Sequence, residues 1–207
     1  MENHAPVTRA KDMDMQMRLI PLGIEGAWLA ESPIWSDERG YFREWFKIGD
    51  IEAATGINFS IQQANISQSD RGVIRGIHYS LAPEGQSKWI TCVQGSILDV
   101  VVDIRPDSAT FGKYKSVVLS GSEGRAVLIG PGLGHAFLSL ENKTTIAYLL
   151  SSEYSPTQEF EIRPTDSELA IDWESHFDGG STPTLSSKDA TAPTMRERLS
   201  QGHLPKY

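Results

Sequence analysis

The sequence predicts an all-β sandwich or barrel. Between Phe59 and Ser151 eight segments of about six to nine residues recur: FSIQQANIS, VIRGIHYS, KWITCVQG, SILDVVVDI, KYKSVVLS, RAVLIG, HAFLSL and TTIAYLLS. Turn residues separate them at the regular spacing of a sandwich or barrel. Several alternate apolar and polar side chains with the period of two that places successive residues on opposite faces. Helical signals, by contrast, are confined to short pieces outside this block.

Residues 1–16 carry no periodicity and read as a loose arm. RLIPLGIEGAWLAES then reads as strands broken by Pro21, Gly23 and Gly26. Asp37 to Gly40 make a turn and Tyr41 to Phe46 a strand. IGDIEAATG (48–56) is a short helix stopped by Gly56. After Tyr154-Ser155-Pro156 the chain turns irregular. TDSELAIDW is a short strand or turn, and TMRERLSQ a short C-terminal helix. The Gly-, Ser-, Thr- and Pro-rich stretch 178–193 reads as a loop wrapping the surface.

Gln94-Gly95 between two strands predicts a two-residue hairpin. In that register Val93 pairs with Ser96 and Lys88 with Val101. Lys88, Ile90 and Cys92 then share a face with Ile97, Asp99, Val101 and Asp103, which puts both aspartates diagonal to the lysine. The other face (Leu98, Val100, Val102, Ile104) is wholly apolar and must be core. One oily face and one carrying Lys-Asp-Asp describe a barrel wall that lines a polar pocket.

Composition bounds the function. A chain of 207 residues suits one domain with a real core. A net charge of −8 argues against general nucleic-acid binding, although a few converging arginines can still hold an anionic metabolite. One cysteine, Cys92, gives no internal disulfide framework and suits a reducing cytosol. No apolar run approaches the ~18 residues of a membrane span. The N-terminus lacks the apolar core of a signal peptide, so the expected compartment is the cytoplasm.

Ionisable groups in strands need partners or a job, because burying them unpaired costs several kcal/mol. His78 is either a core histidine bonded to a carbonyl or a group facing a ligand. Arg75, three residues earlier, favours the ligand. Strict alternation puts the two on opposite faces, and a bulge at Gly76 would turn both inward. Lys88 is either a charge guarding an edge strand or part of a site with Asp99 and Asp103. His135 starts a strand after a Gly-rich turn and can face the same cavity as His78. The five histidines are scattered and form no His-x-His pair, so no metal is expected. Read alone, Tyr148 suits core or interface, and Asp166 a turn or cap.

Taken together these residues resemble the dTDP-4-dehydrorhamnose 3,5-epimerase family from about Met17 to Trp173, with further similarity in PTLSSKDATAPT. The carrying pieces are D-x-R-G-x-F-x-E (Asp37 to Glu44), Q-x-N-x-S (Gln63 to Ser67), GVIRGIHY, QSKWITCVQGSILDVVVDIR, S-x-TFG, GLGHAF, Tyr148 with YSP, and TD with a tryptophan seven residues on. The tail and GLGHAF look closest to actinobacterial members. The resemblance implies a cupin-type jelly-roll barrel over 17–177 with short peripheral helices and a tail over 178–207. It also implies a homodimer without cofactor, acting on a dTDP-sugar in deoxysugar biosynthesis, with no nucleic-acid or membrane partner. On that resemblance His78 is the general base, Asp166 its carboxylate partner, Lys88 the enolate stabiliser and Tyr148 the acid on the other face. Arg39, Phe42, Glu44, Gln63, Asn65, Arg75 and His135 would hold the nucleotide and sugar. Competing readings are a 3- or 5-mono-epimerase, a metal-dependent cupin enzyme, and a barrel that binds sugar nucleotides without turnover.

Overall fold

The structure, a computed structural model, describes residues 16–83, 85–177 and 182–206. Most of the N-terminal arm expected over 1–16, and the start of the expected tail at 178–181, lie outside those residues.

Two sheets face each other. The first contains β1 (Arg18–Pro21), β2 (Ala27–Glu31), β5 (Gln63–Ser69), β7 (Lys88–Gln94), β10 (Arg125–Ile129) and β12 (Thr144–Leu150), in the order β1-β2-β10-β7-β12-β5. The second contains β6 (Ile74–Ser80), β8 (Ser96–Asp103), β9 (Tyr114–Ser120), β11 (Leu133–Ser139) and β13 (Glu159–Glu161), in the order β13-β6-β11-β8-β9. A separate hairpin joins β3 (Trp35–Asp37) to β4 (Gly40–Phe42), so the expected 41–46 strand is cut to Tyr41 and Phe42. This is the predicted all-β class.

Period-two alternation builds the layers. Ile90 and Cys92 of β7, Ile97 and Val101 of β8, and Val127, Phe137 and Ile146 of their neighbours fill the space between the sheets. The opposite face of β8 (Leu98, Val100, Val102, with Ile104 beyond) is buried too. It packs beneath Ile171, Trp173, Met195 and Leu204 of the C-terminal part of the chain. Each large apolar side chain so covered contributes roughly 1.5–3 kcal/mol, so the C-terminal segment is bound firmly to the barrel. A third cluster, with Ile51, Phe59, Trp89 and Leu128, covers the outside of the first sheet beneath α1 (Ile48–Thr55). That helix ends as expected at Gly56, whose φ of +70° is left-handed.

The predicted β7–β8 hairpin is not formed. β7 pairs with β10 and β12, whereas β8 pairs with β11 and β9 in the other sheet. The chain changes sheets at Gln94-Gly95. Gly95 has φ +73°, and a Cβ there would sit 2.5 Å from Thr144 Oγ1. A strand apolar on both faces needs cover on both sides, and β8 finds it between the first sheet and the C-terminal segment. The face assignment survives because alternation specifies faces and not partners. Lys88, Ile90 and Cys92 meet Ile97, Asp99 and Val101 across the interior instead of along one sheet.

Asp103 takes no part in that meeting. It accepts from Arg105 Nε (2.9 Å) and Nη2 (2.8 Å), Ser108 Oγ (2.6 Å) and Thr110 Oγ1 (2.5 Å), and so ties down the loop after β8. Burial opposes its ionisation, but these donors outweigh that and hold its pKa down at about 2. Its unfolded value lies near 3.9, so the network stabilises the fold fully above about pH 4 and is lost as pH falls towards 2. The contribution is on the order of 1–2 kcal/mol. Urea unfolding should therefore show a stability gap between wild type and Asp103→Asn at pH 6 that has lost most of that amount at pH 2.5.

Candidate active site

A cavity of about 780 Å³ opens between the sheets and is closed on one side by the C-terminal segment. The second sheet supplies Arg75, His78, His135 and Phe137 to its lining. The first supplies Gln63, Asn65, Ser67, Lys88, Ile146 and Tyr148. Seven residues expected at the site from sequence therefore share one space: Gln63, Asn65, Arg75, His78, Lys88, His135 and Tyr148.

His78 and Arg75 reach it together because β6 is irregular at Gly76. His78 pairs with His135 and Arg75 with Phe137, so three steps on β6 match two on β11. The extra residue turns both side chains inward, as the bulge reading required. Gly76 is needed there: its φ is +124°, and a Cβ would lie 2.5 Å from Ala136 Cβ and 2.6 Å from the His135 carbonyl.

His78 Nε2 lies 2.8 Å from Asp189 Oδ1. This corrects the expectation that Asp166 would be its partner. Asp166 is buried elsewhere, where its carboxylate accepts from the backbone N–H groups of Glu168 (2.9 Å) and Met195 (2.8 Å). Asp189 sits on α2 (Ser187–Ala190), a single turn within the stretch expected to be loop, capped by Ser186 Oγ, which accepts from Asp189 N at 3.0 Å. The signal was in the sequence: a serine three residues before an acidic residue is a helix-start pattern. Burial works against ionisation of Asp189. The hydrogen bond and charge of His78, together with the Ser186 hydroxyl and the Gly76 N–H, outweigh it and hold the carboxyl below its usual range.

His135, directly across the strand pair from His78, has a carboxylate of its own: Nε2 lies 2.7 Å from Asp99 Oδ2. Asp99 is fully buried, and sequence reasoning had given it to Lys88. The Lys88 ammonium instead donates to the His78 carbonyl at 3.2 Å. Burial pushes its pKa down, against the opposing pull of Glu159 and then Asp99. On the same sheet as Lys88, facing His78, burial pushes the Tyr148 hydroxyl up, while its hydrogen bond to Asn65 and the charge of Arg75 pull the other way. Asn65 lies opposite Tyr148 in the β5–β12 register and accepts from Gln63 Nε2 at 3.0 Å. Arg75 is propped on Ser69 Oγ at 3.0 Å.

Arg39, Phe42 and Glu44 do not line this cavity. Arg39 and Phe42 belong to the β3–β4 hairpin, where Arg39 pairs with Asp37 and Phe42 is 64% exposed. Glu44 is exposed just beyond it, 3.7 Å from Lys47. Tyr154, Gln86, Glu159 and Lys188 line the cavity and were not anticipated. Among the described residues no three His, Cys, Asp or Glu side chains come together as a metal site would need.

The arrangement can move a proton. A histidine held by a carboxylate faces a phenol from the opposite wall, with a buried ammonium alongside and cations at the rim. The profile of the dTDP-4-dehydrorhamnose 3,5-epimerases matches residues 21–197. The chain belongs to this family. Its relatives include the dTDP-4-dehydrorhamnose 3,5-epimerase of Mycobacterium tuberculosis, 41% identical over 92% of this chain and 94% of the relative. The crystal structure of an epimerase from that organism superposes with a TM-score of 0.89 over the same shares of the two chains. A 3′-monoepimerase from Streptomyces bikiniensis, solved with dTDP-quinovose, is 44% identical and superposes at 0.85 over 90% of this chain and 92% of its own. Within this epimerase family the fold is the cupin-type jelly roll, and this chain has it.

Proposed function

We propose that this protein inverts carbons 3 and 5 of dTDP-4-dehydro-6-deoxy-D-glucose, giving dTDP-4-dehydro-L-rhamnose in deoxysugar biosynthesis. The observation that carries the reading is the pairing across the cavity of His78–Asp189 on one wall with Tyr148 on the other. Protons next to the 4-ketone are acidic because their loss gives an enolate. His78 takes one, using the ring nitrogen that Asp189 leaves free. Asp189 orients the imidazole and stabilises its charged form, as a triad carboxylate does. Lys88 places positive charge where the enolate oxygen develops. Inversion needs the proton returned from the opposite side, which is where Tyr148 stands. Arg75 and Lys188 at the rim suit the diphosphate despite the acidic net charge.

We place the reaction in the cytoplasm, on the strength of the free buried thiol of Cys92 and of the absence, among the described residues, of a helix long and apolar enough to cross a membrane. We further propose a homodimer. The exposed hairpin carrying Arg39, Tyr41 and Phe42 stands apart from the active-site cavity of its own chain, and in a dimer it would meet the partner's. Sedimentation at micromolar concentration should give twice the chain mass, and a monomer with full activity would remove this reading.

The direct test is turnover in deuterated water with proton NMR. Wild type should exchange at both carbons, whereas exchange at carbon 3 alone would mark a mono-epimerase like the S. bikiniensis relative. Tyr148→Phe should retain exchange but lose inverted product by about 10²-fold, the lower end for a missing acid.

A further inference from the structure

Asp189 does not lie on the barrel. It hangs on a strap, residues 182–195, that crosses the cavity and is attached at its two ends. At the near end Thr184 pairs with the start of β6: Ile74 N donates to Thr184 O at 3.0 Å and Thr184 N to Gly72 O at 2.9 Å. At the far end Arg163 donates twice, N to Pro193 O at 2.9 Å and Nε to Ala192 O at 3.1 Å. A further far-end attachment is Asp166, whose Oδ2 accepts from Met195 N at 2.8 Å while Oδ1 closes its own turn through Glu168 N at 2.9 Å. Met195 opens α3 (Met195–Ser200), where Thr194 and Glu197 form a reciprocal cap. Asp166 is 4% exposed, and each of its carboxylate oxygens meets a backbone N–H.

We propose that Asp166 is a positioning residue for catalysis: by pinning the far end of the strap it sets where the Asp189 carboxylate meets His78. The proposal rests on the reading of His78–Asp189 as the base. A buried carboxylate that accepts two N–H groups makes a short, directional anchor, and hydrogen bonds to charged groups are the stronger ones. Without it the strap keeps Thr184 and Arg163 but loses the bond to the residue that starts α3. Five residues separate that anchor from Asp189, and a displacement of the dyad by about 1 Å can cost 10²-fold in rate.

The test is a double-mutant cycle read by solvent-deuterium exchange at saturating substrate. Asp166→Ala should lower kcat by about 10–100-fold with little change in KM. Asp189→Ala should lower it by roughly 10²–10⁴-fold. The double variant should be no slower than Asp189→Ala, because an anchor has nothing left to position once the carboxylate is gone. Asp166→Asn, which keeps one acceptor oxygen, should recover part of the rate, and it carries the cycle if the alanine variant does not fold. Wild-type kcat in both Asp166 variants would overturn the proposal, as would a full multiplicative loss in the double variant. If Asp189→Ala itself exchanged at the wild-type rate, the reading of the base would fall, whatever Asp166 does.

Discussion

His78→Ala is expected to abolish exchange of solvent deuterium into carbons 3 and 5 while dTDP still binds. Its imidazole lies in the cavity with Nε2 2.8 Å from the Asp189 carboxylate of the strap, the pair proposed above as the base. General-base catalysis accounts for roughly 10²–10⁴-fold in rate, and removal of a whole base sits at the upper end. Nucleotide affinity should hold, since Arg75, Gln63, Asn65 and Lys188 are untouched. Titration of dTDP by calorimetry, alongside exchange followed by NMR, separates the two effects. Exchange at the wild-type rate in His78→Ala would mean that another group removes the proton.

Lys88→Met is the second large effect, an expected loss of about 10²–10³-fold in kcat, the scale of one lost oxyanion donor in a dry site. Methionine keeps the stem that packs at the start of β7, so the fold should persist. The wild-type pH profile offers an independent check. Burial lowers the Lys88 pKa, and the ammonium is charged only below that value. Activity should fall as pH rises through a point below the ~10.4 of a free lysine, and this basic limb should be missing from the residual activity of Lys88→Met. An unchanged limb in the variant would assign it to another group.

Much of this was legible in the chain because alternation is a local code. The eight central strands, the inward faces of β7 and β8, and the outward apolar row Leu98-Val100-Val102 follow from period two alone. Alternation does not say which strand lies next to which, so the turn at Gln94-Gly95 read as a hairpin when it is a change of sheet. Gly76 was visible as a place for a bulge. The facing of Arg75 and His78 depended on how β6 pairs with β11, which no local pattern holds. The histidine's carboxylate was missed for a related reason. Asp166 and Asp189 both lie far from His78 along the chain, and both sit in polar turns. Only the path of the strap decides which carboxylate reaches the cavity. Arg39, Phe42 and Glu44 mark the other limit, since a shared motif does not say whether its residues reach the cavity, and these three do not.

The strap has a consequence for biosynthesis. Translation delivers the barrel strands before residues 182–195, so an emerging chain can assemble both sheets while His78 still lacks Asp189. Until Trp173, Met195 and Leu204 follow, the outer row of β8 stays bare, an oily stripe of the kind that chaperones bind and that makes half-made chains stick to one another. The same later segment thus shields the newborn barrel and brings Asp189 to His78.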